Sequence, residues 1–241
     1  MKKAPLIISI GIISVLLGLT GCGESHPTKL VAGGNPIEVP FPDGYVRVDG
    51  VNSSFDRLIK SKQAGTNQLL AFYGTEKDLT ALKKGEATAV PRNFNLQVIN
   101  PHLDCSLDDF AVLIKGLEDE MATGMKSAKE MFEKTAEGTN EVLSELSDDK
   151  VTLSLGQPVP LGIMEKSKTW VTFAMKIPMD TQEGTRKKRS VSTTVNSIVL
   201  VNSKAIGLYG THVDGGDGSL EKLKEEVDAW REAVIKANAE K

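Results

Sequence analysis

The sequence predicts an α+β domain: an antiparallel sheet covered by helices, with one long amphipathic helix in the middle of the chain. Three observations carry that expectation. Between Val151 and Thr211 runs of strand-forming residues follow one another, with Val151, Leu153 and Leu155 alternating with Thr152 and Ser154, the period of a half-buried strand. From Leu107 to Phe132 apolar residues return every three or four positions, the period of a helix lying on a core. After Gly218 the period changes again, and Leu220, Leu223, Val227, Trp230 and Val234 form a second helical stripe.

The chain opens on Lys2 and Lys3, followed by an uncharged, mostly apolar run from Ala4 to Leu17. A basic head, a short apolar middle and small residues behind it describe a secretory signal. The run is shorter than the ~20 apolar residues a membrane span needs. Its end, Leu19-Thr20-Gly21-Cys22, resembles the lipobox of bacterial lipoproteins. That resemblance implies removal of residues 1–21, a diacylglyceryl group on the sulfur of Cys22, and attachment to a membrane of the bacterial cell envelope. Gly23 rather than Asp after the cysteine implies the periplasmic face of the outer membrane in a host with two membranes. The competing reading is an ordinary cleaved signal with a chance cysteine.

Removing residues 1–21 takes away only Lys2 and Lys3 and moves the formal charge from −3 to −5. Mild acidity argues against a nucleic-acid binder, which shows a basic footprint. The remaining length suits one domain with its own core. With Cys22 acylated, Cys105 has no partner for an intramolecular disulfide, so the core must hold without a staple.

Residues 23–40 contain three Gly, three Pro and no helical period, and together with Cys22 read as a lipidated flexible tether, residues 22–40. At 5–6 Å times the square root of its length, such a tether would hold the domain roughly 20–25 Å from its anchor. His26 lies within it. A single globular domain is expected over residues 41–241. Pro42-Asp43-Gly44 is turn chemistry and Tyr45 to Val48 suits a short strand. Ser53 or Ser54 can cap a helix carrying Phe55, Leu58 and Ile59. A strand over Gln68–Tyr73, a helix over Glu76–Lys84 and a strand over Asn93–Ile99 follow, the last stopped by Asn100-Pro101.

Ser106 and Asp109 form a capping box for the middle helix. Its stripe is Leu107, Phe110, Ile114, Leu117, Met121, Met125, Ala128 and Phe132, with a break at Gly138 and a continuation to Leu146. The stripe reads either as core laid on the sheet or as a partner-binding face softened by its methionines. Strands at 151–155, 170–177, 191–201 and 205–211 then suggest a meander. The ending, a strand pair followed by a helix with Trp on its inner face, together with the opening Val39-Pro40-Phe41-Pro42-Asp43-Gly44-Tyr45-Val46, resembles the PsbP-like fold of DcrB-type bacterial lipoproteins. That resemblance implies an α/β sandwich and no catalytic residues.

Three clusters invite chemistry. His102, Asp104 and Cys105 put an imidazole, a carboxylate and a thiol within four residues, but a cysteine nucleophile needs its base in space and a metal site needs three or four ligands. Asp214, Asp217 and Glu221 lack the alternating ligand positions of a calcium loop. Arg186-Lys187-Lys188-Arg189 can meet anionic headgroups or simply protect a solvated hairpin tip. Cys-x-x-Cys, His-Glu-x-x-His, Gly-x-Ser-x-Gly and P-loop patterns are absent. The expectation is a lipid-anchored envelope lipoprotein without catalytic, cofactor-binding or metal residues, binding an unidentified protein partner or supporting the envelope. The alternative is an envelope enzyme whose residues meet only in the fold.

Overall fold

A computed structural model describes residues 28–61, 67–86, 89–125, 128–146, 151–216 and 218–239. In chain order the elements are β1 (Thr28–Ala32), β2 (Asn35–Val39), β3 (Val46–Arg47), α1 (Ser53–Ser61), β4 (Gln68–Gly74), α2 (Glu76–Lys84) and β5 (Arg92–Ile99). They continue with α3 (Leu107–Ala122), α4 (Ala128–Leu146), β6 (Val151–Leu155), β7 (Val159–Lys166), β8 (Trp170–Glu183), β9 (Arg186–Val201), β10 (Lys204–Val213) and α5 (Ser219–Asn238). An eight-stranded sheet runs β3-β4-β5-β10-β9-β8-β6, with β7 also pairing to β8, and every pair in it is antiparallel. The expected α+β class, an antiparallel sheet covered by helices, is what the chain forms.

On one face of the sheet the alternation brings Phe94, Leu96, Val98, Val195, Val199, Ile206 and Leu208 together under Leu223, Val227, Trp230 and Val234 of α5. The closing stripe is therefore core, as its period predicts. Trp230 is 2 % exposed, stands edge-on to Tyr73 and Phe94, and donates its indole N–H to the Pro40 carbonyl at 2.8 Å. Arg231 beside it is buried, donating to Thr172 Oγ1 at 2.8 Å and Asp228 Oδ1 at 2.6 Å while its guanidinium lies 3.8 Å from the Trp170 ring centroid.

The tether expected over residues 22–40 needs correction. From Thr28 onward it is the β1–β2 hairpin, whose Ala32, Ile37 and Val39 lie fully inside the core. Three apolar side chains on one face of the hairpin supply the reason: burying them outweighs the Gly and Pro content that reads as a linker. Polar bonds fix the hairpin at both ends. Asn35 Nδ2 donates to the Asn202 carbonyl at 2.7 Å and Asn202 Nδ2 to the Pro36 carbonyl at 2.8 Å. Asn238 Oδ1 accepts from Glu38 N–H at 3.0 Å, and its Nδ2 returns a bond to the Glu38 carbonyl at 2.7 Å.

The single long helix is also corrected: it is two helices, α3 and α4, and the break falls at Gly124 rather than Gly138. Gly124 (φ 74°) and Met125 (φ 54°) are both left-handed. Gly124 N–H bonds to the Met121 carbonyl at 3.2 Å and Met125 N–H to the Glu120 carbonyl at 2.7 Å. This is a Schellman ending, which favours glycine at its left-handed position. Gly138 sits inside α4 at the close approach to α1, where an added Cβ would stand 3.7 Å from the Ser61 carbonyl oxygen. β7 carries no strand signal in the sequence, because Pro160 and Gly162 interrupt the pattern.

Candidate functional site

The second face of the sheet carries two apolar clusters and a polar strip between them. Under α3, Phe110 and Ile114 pack with Val171, Phe173, Met175 and Ile198. At the other end Phe55 and Ile59 of α1 pack with Val48, Leu82 and Val90, and with Leu69 and Phe72 of β4. Between them every second residue of the central strands is an amide or a hydroxyl. On β5 these are Asn93, Asn95 and Gln97; on β9, Ser190, Ser192, Thr194 and Asn196; on β10, Thr211. The register stacks them side by side, with Thr211 opposite both Asn93 and Thr194, and Tyr209 opposite both Asn95 and Asn196.

Burying polar side chains in the middle of a sheet is unfavourable unless they find partners, and here the pairing is incomplete. Asn93 Nδ2 donates to the Val90 carbonyl at 2.8 Å, Gln97 Nε2 to Asn95 Oδ1 at 2.8 Å, and Asn196 Nδ2 to Thr194 Oγ1 at 3.1 Å. Ser190, Ser192 and Thr211 make no side-chain hydrogen bond among the described residues, although both serines are buried. Their hydroxyls line a cleft of about 470 Å³. Its floor is the polar strip, one wall is Phe55, Ile59, Leu69 and Phe72, and the opposite wall is Leu153, Leu155 and Met179. Such a volume and mix of apolar walls with a few polar groups is the usual form of a small-molecule site.

Helix α4 roofs the cleft through Thr135 and Thr139. It is strapped to β6 by Asn140, which donates to the Leu153 carbonyl at 2.9 Å and accepts from Leu153 N–H at 2.6 Å. On the other side Arg57 of α1 pairs with Glu145. The roof is thus held at its sides, over a floor it does not fill. Tyr209 closes the strip in the other direction, its ring lying over Gly207, where an added Cβ would come within 2.4 Å of it. Burial pushes the Tyr209 phenol up to about 12.

Among the described residues Lys188 is the charged side chain that reaches the cleft lining, and its ammonium stands 3.2 Å from Asp214 Oδ2. The Val191 N–H, donated at 3.0 Å, and then Lys188 hold the Asp214 carboxyl below its ordinary range.

The residues singled out from sequence are placed elsewhere. Cys22 and His26 lie outside the described residues, as does Asp217. Asp214 accepts from the Val191 N–H and pairs with Lys188, joining β9 to the end of β10. Asp104 turns to Lys204, 2.9 Å away. Lys204 is 3 % exposed and also donates to the carbonyls of Pro101 and Leu103, both at 3.0 Å. No hydrogen bond joins His102 to Cys105 among the described residues, and burial, then Asp109, raises the Cys105 thiol. Arg186 to Arg189 form the start of β9 rather than a loop, with Arg189 Nε donating to Asp180 at 3.0 Å. Among the described residues no group of three or more His, Cys, Asp or Glu side chains gathers as a metal site would need. No helix among them is long and apolar enough to cross a membrane.

The polar strip is the feature that sequence reading missed. Its signal was present as amides and hydroxyls at every second position of Asn93 to Gln97 and of Ser190 to Asn196. Alternation alone does not say whether such a face meets solvent or a roof.

No known family profile matches the chain. No curated protein matches it either. Among solved structures, the solution structure of cyanobacterial PsbP (CyanoP) from Synechocystis sp. PCC 6803 is similar at a TM-score of 0.34 and 10% identity, covering 92% of this chain and 96% of that one.

Proposed function

We propose that this chain is a lipoprotein of the bacterial cell envelope, anchored through Cys22, that works by binding in the α4-roofed cleft and not by catalysis. The observation that carries the binding role is the buried, uncharged floor with unpaired Ser190, Ser192 and Thr211 beneath a strapped helix. Cleft hydroxyls left without protein partners are what a ligand's polar groups can satisfy. The anchor rests on the Leu19-Thr20-Gly21-Cys22 motif behind an apolar run. A PsbP-like, DcrB-type membership is supported by the two segments that resemble that group. Tyr45 of the opening and Trp230 of the closing helix both pack on Phe94, with ring centroids at 4.6 and 5.7 Å.

The test has two arms in a bacterial host. A fatty-acid analogue should label the wild-type chain and not Cys22→Ser, and an equal label on both would remove the anchor. Ser192→Phe, which fills the cleft, should remain anchored and folded yet fail to complement a deletion. Full complementation by a folded Ser192→Phe chain would remove the cleft from the function.

A further inference from the structure

Resting on the reading of the cleft as a binding site, we infer that its ligand is an uncharged amphiphile, with a hydroxyl- or amide-bearing part on the sheet and an apolar part against α1. The lining chemistry selects this class by exclusion and by fit. The described lining contains no carboxylate, so an ammonium or guanidinium placed there would lose its water without gaining a counter-charge. It contains one cation, Lys188, already committed to Asp214 at 3.2 Å, so an anion would have to compete for it. Neutral donors and acceptors meet no such penalty. Serine and threonine hydroxyls both donate and accept, and the amides of Asn93, Asn95 and Gln97 do the same in two directions. A floor of this kind suits vicinal hydroxyls or an amide.

The apolar part has its place beside that floor. Phe55 and Phe72 stand edge-on with ring centroids 5.5 Å apart, and with Ile59 and Leu69 they form a wall that continues the apolar cluster under α1. A volume of about 470 Å³ lies within the range of small-molecule sites. It accommodates one sugar-sized or amide head with a short chain and excludes a complete two-chain lipid.

The experiment uses the full chain, acylated and reconstituted in lipid nanodiscs. It compares three probes built on a six-carbon chain, with the carboxyl carbon of hexanoate counted in it: hexyl glucoside, hexanoate and hexylammonium. Binding is read by saturation-transfer NMR, with empty nanodiscs subtracting partition into lipid. Hexyl glucoside is expected to bind at least roughly tenfold more tightly than hexylammonium, a difference of about 1.4 kcal/mol, and more tightly than hexanoate. The pair Ser192→Ala and Thr211→Val, which removes hydroxyls with little change of shape, should weaken it by roughly five- to tenfold. Ser192→Phe should abolish it.

Tightest binding of hexanoate, equal binding of all three probes, or hexyl glucoside binding unchanged by the hydroxyl variants would each overturn the assignment. Absence of any binding would overturn it as well. None of these results touches the complementation arm for Ser192→Phe. The ligand class can therefore fail while the cleft stands, and the two failures are told apart.

Discussion

Truncating Trp230 to alanine is the sharpest perturbation of the core that joins the N-terminal hairpin, the sheet and the last helix. The indole is 2 % exposed, with ring centroids 5.6 Å from Tyr73 and 5.7 Å from Phe94, and its N–H reaches the Pro40 carbonyl at 2.8 Å. Large-to-small changes at such sites cost about 3–5 kcal/mol through lost burial and the cavity left behind. Trp230→Phe keeps most of the apolar contact and loses the hydrogen bond, which costs about 1–2 kcal/mol. For a domain of this length each kcal/mol lowers Tm by about 2–4 °C, so the alanine variant should melt roughly 6–20 °C lower and the phenylalanine variant roughly 2–8 °C lower. Thermal melts of the protein lacking residues 1–22 read the Tm shifts, and urea unfolding reads the free energies, followed through the remaining Trp170 and by circular dichroism, with an unchanged slope expected. A loss below about 1 kcal/mol for Trp230→Ala would refute the burial argument. Equal losses for the two variants would show that the bond to Pro40, and not the packing, holds α5.

Lys204→Met should destabilise by about 2–3 kcal/mol, because it strands the carbonyls of Pro101 and Leu103 that the buried ammonium now satisfies. Limited proteolysis should then cut residues 100–105 sooner, and an unchanged digestion pattern with unchanged stability would remove the clamp. All three tyrosines have phenols raised by burial, Tyr45 and Tyr209 to about 12 and Tyr73 further. Their folded values lie above the unfolded one of ~10, so the stability they contribute is complete below pH 10 and is lost as pH rises towards 12. Difference absorbance at pH 10.5 should show tyrosinate in the unfolded chain and almost none in the folded one; equal ionisation in both would contradict the burial of these rings.

How much of this was legible in the sequence differs by element, for physical reasons. The Ser106–Asp109 capping box and the Leu223–Trp230–Val234 stripe were readable because each is a local pattern answered by local geometry. The α3 stripe was readable as helix, and Phe110 and Ile114 are buried as core, while Leu107 at its start is exposed. The Schellman break was marked by Gly124, but Gly116 and Gly138 carried the same mark and stayed helical. The hairpin was hidden because Gly33, Gly34 and Pro36 lie in its turn and at its edge, and its worth comes from contacts with residues up to 200 positions away. The cleft was hidden for the same reason. Asn93 to Gln97 read as an ordinary strand with a polar face, and only the roof supplied by α4 turns that face into a floor.

The hairpin changes what an anchor at Cys22 would do. With β1 beginning at Thr28, six residue steps would separate an anchored Cys22 from the hairpin, a reach of at most roughly 22 Å at ~3.6 Å per residue. The full 22–40 segment no longer counts as free length, so the domain would be held close to the bilayer surface. The hairpin packs on the α5 face, against β2-facing residues of that helix, whereas the cleft lies on the opposite face beneath α4. On the proposed reading, attachment and binding would use different faces of one sheet, and filling the cleft would leave the hairpin face undisturbed. A ligand with hydroxyl or amide groups and a short apolar part suits that division. It is soluble enough to arrive from the aqueous side, and apolar enough to gain from Phe55 and Phe72 once inside.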